Sequence, residues 1–378
     1  MNVLLLSSRF PWPAFTGDRL RAAIWLEALG EEANVALVAP AGTVPAAAPR
    51  LRFYTAERSM RRGAAGALRV LRGAPVSSLL AAPYDWAEAI GQAREEFGHF
   101  DATTVLLSRL DPWVRELLPE GFHLLDAIDS LRRNVAERSR EASPLTRWFW
   151  RAESRRLGRA EQEAARAYGR VIVVSPEDCD ELRAVAISNG VVIRPLAAAP
   201  RRYDFGFWGR LGYFANADAV AWLTCEMWPA IRARRPEATL VIAGAGAPAG
   251  LRALHGRDGI SVVSPVDDMA ALARQVRVAL MPVRYGTGQA NKTLEAAEAG
   301  CAIAGTPQAL RGLEPLAAHA AIAGDAAGLV HAAVSLISDA ARRAAMAAAV
   351  RQAVETHYAR RTTLARLAAL VRRREVAA

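Results

Sequence analysis

The chain has 378 residues, of which 52% are hydrophobic and 23% are charged, and its formal net charge at pH 7 is +10. The length suggests two domains of ordinary size, and the composition is that of a globular protein with large cores. No apolar run approaches the roughly twenty residues of a membrane span, and the stretch MNVLLLSSRFPWPAF is too short in its apolar part for a signal peptide, so we expect a cytoplasmic protein.

The first half of the chain alternates apolar runs with helical patterns. Helical spacing at 18–30 ends at Gly30, and a long charged helix is predicted at about 145–167. Buried strands are predicted at the apolar runs 3–8, 35–40, 103–108, 123–128 and 171–176. The stretch PLAAAPRRY at 195–203 has two prolines and no periodicity, which predicts an interdomain linker.

The same alternation restarts after the linker. A helix is predicted from Asn216 to about Arg235, and strands are predicted at FGFWG, TLVIAG, GISVVS, VRVALMPV and CAIAGT. Strands that are apolar on both faces and alternate with helices indicate parallel sheets covered on both sides. We therefore predict an α/β fold of two Rossmann-like domains whose parallel sheets face each other across a cleft, with the ligand beyond the carboxyl ends of the strands. The predicted domains are 1–197 and 198–355, followed by a basic C-terminal helix at 356–378 that could pack back on the first domain.

The positive charge gathers in three runs, at 58–73, at 146–159 and in the C-terminal tail, and each run mixes arginine with apolar or aromatic residues. Helices that meet anionic lipid headgroups have this pattern. It fits equally well with solvated helix faces whose aromatic residues, Trp148, Phe149 and Trp150, pack inward. No helix-turn-helix, RNA-recognition or zinc-finger signature accompanies the charge, so no nucleic-acid partner is expected. The three cysteines stand singly, without CxxC spacing or a nearby histidine, so no metal site is expected either.

Of the 48 lysine and arginine residues, Lys292 alone is a lysine. It follows the turn GTG at 286–288, near the start of a helix predicted to end at Gly300, where unpaired N–H groups and the helix dipole attract phosphate. One interpretation is an exposed ion pair with Glu295, three residues further on. We favour a functional interpretation, because every other such cation is arginine and a compact ammonium fits a crowded phosphate site that the planar guanidinium does not.

Three segments resemble a known class of enzymes. GQANKTLEAAEAGCAIAGT looks like the signature of retaining GT-B glycosyltransferases of the family 4 type, and FWGRLGYFANADAVAWL at 207–223 resembles the first turn of their donor domain. SSRFPWPAFTGDRLRA at 7–22 is similar to the acceptor-side loop of bacterial sugar transferases associated with exopolysaccharide and PEP-CTERM export systems. The resemblance implies a GT-B fold in which the first domain binds the acceptor and the second domain binds the nucleotide sugar.

The resemblance also implies a reaction. A hexosyltransferase of this kind moves a sugar from a nucleoside diphosphate sugar to a hydroxyl of a glycan or a lipid-linked acceptor, with retention and without a cofactor or metal. Cations then stabilise the departing diphosphate. Arg210 matches the arginine of the family, but Phe214 or Ala215 occupies the place of its lysine. We therefore predict that Lys292 replaces that lysine.

Other residues follow from the same match. Glu295 matches the glutamate that holds the ribose hydroxyls, whereas the partner glutamate of the family falls at Gly288. Contacts to the donor hexose are therefore expected from backbone N–H groups of Gly286 to Gln289 or from elsewhere. The predicted donor-binding residues are Gly209, Arg210, Asn216, Arg284, Gly286, Thr287, Gly288, Gln289, Asn291, Lys292 and Glu295.

On the acceptor side, Gly17 lets the backbone approach the donor phosphate and Asp18 could cap the helix that follows. Ser108 and Arg109 lie where relatives place a catalytic-site histidine, and they join Arg210 and Lys292 as catalytic candidates. Front-face substitution, as the resemblance implies it, requires no protein nucleophile. The expected setting is bacterial surface polysaccharide or glycolipid synthesis, with the protein at the inner face of the cytoplasmic membrane.

Two alternatives remain at this point. LVIAGAGAPAGL at 240–251 has the G-x-G-x-x-A spacing of a dinucleotide site, with Gly244, Gly246 and Ala249, and Asp267 follows about twenty residues later. This spacing suggests an NAD-dependent enzyme. The other alternative is a non-catalytic protein of GT-B fold at a membrane surface, which would keep the basic runs but would not need the cations Arg210 and Lys292.

Overall fold

The computed structural model describes residues 1–14, 16–30, 32–44, 50–141, 143–196, 200–286 and 288–372. It divides the chain into two compact units. The first unit comprises Met1–Asn189 together with the residues from Thr362 onward, and the second comprises Gly190–Arg361. The first segment of this unit ends at Asn189, before the predicted boundary of 197, and residues 197–199 of the predicted linker lie outside the described residues.

Seven parallel strands form the sheet of the first unit, in the order β3-β2-β1-β4-β5-β6-β7 within the described residues. Their bounds are β1 Asn2–Ser7, β2 Asn34–Ala39, β3 Leu51–Thr55, β4 Ala102–Leu106, β5 Phe122–Ile128, β6 Arg170–Val173 and β7 Val185–Ala186. The five apolar runs predicted in this half correspond to β1, β2, β4, β5 and β6. β3 and β7 were not predicted from the sequence.

The helices of this part of the chain cover both faces of the sheet. They are α1 Gly17–Leu29, α2 Met60–Leu71, α3 Trp86–Phe97, α4 Asp111–Val114, α5 Leu131–Glu141, α6 Pro144–Ala167 and α7 Cys179–Leu182. Alternate residues of β1 pack in different apolar clusters. Leu4 and Leu6 belong to one cluster, and Val3 and Leu5 belong to the other. This two-sided burial explains why the central strands read as continuous apolar runs.

A buried ion pair fastens α1 to the end of β5. Asp126 and Arg21 are both fully buried, and Arg21 Nε donates to Asp126 Oδ2 at 2.6 Å. Trp25 Nε1 donates to the same oxygen at 2.7 Å, and the N–H of Ile128 donates to Oδ1 at 3.1 Å. Arg21 Nη1 also donates to Asn189 Oδ1 at 3.2 Å. A buried charge is tolerated only when it is paired and hydrogen-bonded, and Asp126 meets both conditions.

Among the residues that the structure describes, the second unit has six parallel strands in the order β10-β9-β8-β11-β12-β13. Their bounds are β8 Tyr203–Trp208, β9 Leu240–Ala243, β10 Ile260–Val263, β11 Val276–Met281, β12 Ala302–Gly305 and β13 Ala321–Ile322. The helices are α8 Phe214–Trp222, α9 Trp228–Arg234, α10 Ala249–Arg252, α11 Met269–Ala273, α12 Asn291–Glu298, α13 Glu314–Ala317, α14 Ala326–Ser338 and α15 Ala340–His357. A π-helical turn, Leu223–Met227, connects α8 to α9. The two parallel-sheet domains confirm the predicted α/β class.

The last described helix, α16 (Arg360–Val371), belongs mainly to the first unit. Leu367, Leu370 and Val371 pack in the apolar cluster that also contains Val3 and Leu5 of β1. Thr363 Oγ1 donates to the carbonyl oxygen of Ser188 at 3.0 Å. Both ends of the described chain therefore contribute to the first unit.

Candidate active site

The turn after β8 lies backbone to backbone against the turn after β9. Gly209 has a φ of +148°, and its N–H donates to the carbonyl oxygen of Ala243 at 3.0 Å. Gly244, with a φ of +141°, comes so close that a Cβ there would lie 1.8 Å from the carbonyl oxygen of Gly209. Only glycine fits these two positions, and the packing holds the carboxyl end of β8 in place.

Asn216 connects this turn to α8. Its side-chain amide donates to the carbonyl oxygen of Arg210 at 2.9 Å, and its backbone N–H donates to the carbonyl oxygen of Tyr213 at 2.9 Å. The helix begins at Phe214 rather than at Asn216, so Asn216 lies inside the first turn. Arg210 is exposed. Asn216 thus positions the backbone that carries this cation.

Lys292 reaches the same turn from α12, of which it is the second residue. Its ammonium donates to Asn216 Oδ1 and lies 4.6 Å from the ring centroid of Phe207. A Cβ at Gly209 would be 3.5 Å from Lys292 Nζ. Burial lowers the pKa of Lys292 to about 8, and the negative charge of Glu295 opposes that change. The ammonium is therefore crowded and largely desolvated beside Gly209.

Glu295 lies one turn further along α12. Its Oε2 accepts a hydrogen bond from Trp208 Nε1 at 3.0 Å, and Trp208 is itself buried. Burial raises the pKa of Glu295, while the hydrogen bond from Trp208 and the charge of Lys292 act in the opposite direction. An exposed ion pair between Lys292 and Glu295 is therefore not what the structure contains, because both side chains are mostly buried and each is held by an uncharged partner.

The glycine turn between β11 and α12 has the backbone freedom that the sequence suggested. Gly286 and Gly288 have φ values of +126° and +73°. Gln308 Nε2 donates to the carbonyl oxygen of Gly286, and Gln289 Nε2 donates to the carbonyl oxygen of Gly312 at 3.4 Å. Asn291 is the first residue of α12, so it lies at the helix N-terminus. Thr287 lies outside the described residues.

The guanidinium of Arg284 binds other side chains of the protein. It donates to both carboxylate oxygens of Asp218, Nε to Oδ2 at 3.0 Å and Nη2 to Oδ1 at 2.6 Å. It also lies 4.8 Å from the ring centroid of Trp222. The hydrogen bonds that Arg284 donates to Asp218 raise the pKa of Arg284. This contact ties the end of β11 to α8, a role that the sequence analysis did not foresee.

The acceptor-side candidates Gly17 and Asp18 lie at the start of α1. Gly17 is the first residue of the helix and Thr16 occupies the N-cap position, so Asp18 is not the cap that the sequence suggested. Asp18 Oδ1 accepts from Thr16 Oγ1 at 2.5 Å, and Oδ2 pairs with Arg9 Nη1 at 3.3 Å. A Cβ at Gly17 would meet no atom within 4 Å, so space alone does not require glycine there.

Ser108 and Arg109 lie just beyond β4. Ser108 is buried, and its Oγ donates to Glu161 Oε1 at 3.5 Å. Glu161 is buried too, and it accepts from Ser130 Oγ at 2.9 Å and from the N–H of Leu131 at 2.7 Å, at the start of α5. Burial raises the pKa of Glu161 to about 7, although the hydrogen bonds that it accepts act to lower the pKa. The sequence analysis missed Glu161, which belongs to the long charged helix α6.

Residues 202–339 match the family model described as glycosyl transferases group 1. The chain is a glycosyltransferase. The matched segment covers the strands and turns that bring Arg210, Asn216, Lys292 and Glu295 together. No curated protein sequence matches the chain.

The folds of several solved structures are similar to that of this glycosyltransferase. Sucrose-phosphate synthase from Thermosynechococcus elongatus is 15% identical with a TM-score of 0.75, and 98% of each chain is covered. WaaG, a glycosyltransferase involved in lipopolysaccharide biosynthesis, is 14% identical with a TM-score of 0.65, over 98% of this chain and 99% of WaaG. Anabaena Alr3699/HepE, solved in complex with UDP, is 13% identical with a TM-score of 0.68, over 98% of this chain and 100% of HepE. The fold is therefore GT-B, as the resemblance implied.

The dinucleotide-like turn of the glycosyltransferase has a packing role. Gly244 faces the carbonyl oxygen of Gly209, as described above, and α10, which follows the turn, has only four residues. A dinucleotide site instead uses such glycines to bring the pyrophosphate to the N-terminus of a substantial helix. The spacing that suggested NAD is thus explained by contact between two loops. Within the described residues, no helix is both long enough and apolar enough to cross a membrane.

Proposed function

We propose that this glycosyltransferase moves a sugar, with retention, from a nucleoside diphosphate sugar to a hydroxyl of a glycan or lipid-linked acceptor. The observation that carries the proposal is the convergence of Lys292 and Asn216 on the turn that presents Arg210. These groups lie at the carboxyl ends of β8 and β11, where ligands bind in open α/β sheets. The strand order of the second unit also reverses between β8 and β11.

The chemistry follows from the charge of the leaving group. A departing nucleoside diphosphate gains negative charge on its oxygens, and preorganised cations stabilise that charge in the transition state. Arg210 and the ammonium of Lys292 supply two cations on one turn. We propose that they do this without a metal ion or cofactor, and that the acceptor hydroxyl attacks from the face that the diphosphate leaves, so that no protein nucleophile takes part.

The remaining groups of the turn are proposed to hold the donor. One carboxylate oxygen of Glu295 is bonded to Trp208, which orients the other toward a ribose hydroxyl. The backbone of Gly286 to Gln289 and the N-terminus of α12 supply N–H groups for phosphate and hexose oxygens. Arg284, which is bonded to Asp218, acts by keeping the turn and α8 together.

Ligand titration tests the proposal. We expect at least one of UDP, GDP and dTDP to bind the full-length protein and to raise its melting temperature, since a ligand at 100 times its Kd stabilises the folded state by about 2.7 kcal/mol. Calorimetry with the same nucleotides and with NAD is the measurement. Exchange of Arg210 for Gln should weaken nucleotide binding, whereas exchange of the exposed Arg234 for Gln should not. Micromolar NAD binding with no response to any nucleoside diphosphate would overturn the proposal.

We also propose that the protein works at the inner face of the cytoplasmic membrane, in surface polysaccharide or glycolipid synthesis. α2 carries exposed Met60 and Leu71 among several arginines, and α6 begins with Leu145 and Trp148, which are 85% and 70% exposed. Glu153 of α6 accepts hydrogen bonds from the N–H groups of Val76 and Ser77, which lie just after α2. The two helices therefore belong to one surface of the first unit. The neighbouring aromatic residues Trp148 and Trp150 differ in their surroundings. Trp148 is exposed, whereas the ring centroid of Trp150 lies 4.1 Å from the guanidinium carbon of Arg138.

Vesicle binding tests this location. The protein should sediment with vesicles rich in phosphatidylglycerol at low ionic strength and should dissociate as added salt shortens the Debye length. Exchange of Leu145 and Trp148 for Glu should abolish the binding, because both changes remove apolar contact and add repulsion. Exchange of Ile322, an exposed apolar residue of the second unit, for Glu serves as the control. Equal binding to phosphatidylcholine vesicles, or none to anionic vesicles, would exclude a role for the basic runs.

A further inference from the structure

Three arginines lie at one edge of the sheet of the first unit. Arg9 follows β1, Arg19 lies in the first turn of α1, and Arg109 follows β4. β1 and β4 are neighbours, and Ser7 is paired with Leu106 at their carboxyl ends, so the loops after both strands begin at the same level. The strand that follows β1 in sequence, β2, lies toward one edge of the sheet, whereas the strand that follows β4, β5, lies toward the opposite edge. Such a reversal opens a crevice in which parallel sheets bind ligands.

The backbone at this edge is unusual. Leu107, directly after β4, has a φ of +73°, and Ile128, at the end of the adjacent β5, has a φ of +67°. Neither is glycine, and a β-branched residue such as isoleucine rarely adopts this conformation. Both side chains are buried with Val174 in a small apolar cluster, which holds the strained turns in place. Strain of this kind concentrates at functional sites, and here Arg109 follows it by two residues.

Arg109 is mostly buried, and one of its N–H groups has no acceptor within the described residues. Its Nε is inaccessible to solvent and has no hydrogen-bond partner there. Burial lowers the pKa of Arg109, and the charges of Asp18 and Asp129 oppose this effect while that of Arg9 adds to it. Arg19 Nε is likewise buried without a hydrogen bond to any described residue. Arg21 Nη2 also has no hydrogen-bond partner among the described residues, but Arg21 differs because its Nε is paired with the carboxylate of Asp126 at 2.6 Å.

This difference has a chemical meaning. A buried guanidinium N–H without an acceptor is costly, and an anion can accept it. A guanidinium matches phosphate oxygens in a fork geometry. We propose that Arg109, with Arg9 and Arg19 at the same edge of the sheet, binds a phosphate group carried by the acceptor. The inference rests on the proposed transferase function, since it assigns the first unit an acceptor that is a phosphate ester, either soluble or attached to a lipid.

Phosphate binding to the full-length protein tests the site directly. UDP is added first at saturation, so that the cations of the second unit are occupied, and inorganic phosphate is then titrated at constant ionic strength. Arg109→Gln should weaken phosphate binding at least tenfold and leave the Kd for UDP unchanged. Arg94→Gln, which removes an exposed arginine of α3, should change neither. In phosphate-free buffer Arg109→Gln should melt no lower than the wild type, because it removes a buried charge whose desolvation outweighs the attraction of Asp18 and Asp129.

Two further arms distinguish the source of the phosphate. Glycerol 3-phosphate is titrated in solution, and phosphatidylcholine vesicles containing polyprenyl phosphate are used in sedimentation. Sensitivity to Arg109→Gln in the first arm identifies a soluble phosphate ester, and sensitivity in the second identifies a lipid-linked one. Wild-type phosphate affinity in Arg109→Gln, an equal loss in Arg94→Gln, or a lower melting temperature of Arg109→Gln would overturn the proposal. If none of UDP, GDP and dTDP binds but the loss of phosphate binding in Arg109→Gln persists, the transferase proposal fails and the phosphate site stands.

Discussion

Exchange of Lys292 for Met is expected to lower kcat by a factor of about 10²–10³ in a protein that remains folded. Removal of one preorganised charge from a developing anion typically has an effect of this size, roughly 3–4 kcal/mol of transition-state stabilisation. Methionine keeps an unbranched apolar side chain but loses the ammonium that lies over the Phe207 ring and beside Gly209. The measurement is kcat and KM for the nucleotide sugar that the ligand titration identifies. Wild-type turnover would exclude the proposed role of Lys292.

The same variant should be more stable than the wild type at pH 7. An unfolded lysine has a pKa near 10.5, and burial lowers it to about 8 in the folded protein. The unfolded state therefore binds the proton more tightly, and the ammonium destabilises the fold at every pH below about 8. Its removal should raise the free energy of unfolding by about 1–3 kcal/mol, which melting temperatures will report. A marked loss of stability would instead indicate a structural lysine.

Lys292→Arg separates charge from shape. Arginine keeps the positive charge, but its planar guanidinium is larger than an ammonium that already touches Asn216 and lies close to Gly209. We expect reduced turnover in this variant as well. Wild-type turnover in Lys292→Arg alone would keep the electrostatic role and exclude the geometric one.

The pH profile provides an independent readout of the same residue. In the free enzyme, kcat/KM should fall as pH rises through about 8, because the ammonium loses its proton there. Lys292→Arg should remove this alkaline limb whatever its overall rate, since arginine stays protonated. Persistence of the limb in that variant would assign it to another group.

Exchange of Asp126 for Ala should destabilise the first unit by about 3–5 kcal/mol. It leaves the guanidinium of Arg21 buried without a counter-charge and removes the acceptor of Trp25 Nε1. Urea unfolding followed by tryptophan fluorescence is the measurement. Asp180→Ala, at an exposed aspartate of α7, should change the stability by less than about 0.5 kcal/mol.

A double variant checks the cause of this loss. Arg21→Met combined with Asp126→Leu replaces both charges by apolar groups of similar size and should recover much of the stability. If Asp126→Ala had the same midpoint urea concentration of unfolding as the wild type, the ion pair would not be what holds α1 to the sheet.

The central strands could be predicted from the sequence because burial on both faces makes them continuously apolar. The edge strands could not. β3 is only partly buried and carries Arg52 toward solvent, so it lacks an apolar run, while β7 and β13 have two residues each and no periodicity at all. Such strands depend on a neighbour for their hydrogen bonds, and this information is not local in sequence.

The site was predictable only in part, for a related reason. Lys292 stood out because it is the one lysine of the chain, and Gly209 and Gly288 because turns need glycine. Neither the pairing of Arg284 with Asp218, 66 residues earlier, nor the contact between Ser108 and Glu161, 53 residues apart, leaves a spacing to recognise. Both depend on tertiary packing.

The return of α16 to the first unit affects the order of events during synthesis. Leu367, Leu370 and Val371 complete a core that begins with β1, so this core has an uncovered apolar side while the ribosome translates the second unit. At about 5–20 residues per second, residues 190–361 require on the order of 10–30 s. During that interval the uncovered side is available to chaperones. The second unit is contiguous in sequence, so it is expected to finish folding first, which reverses the usual amino-to-carboxyl order of domain folding.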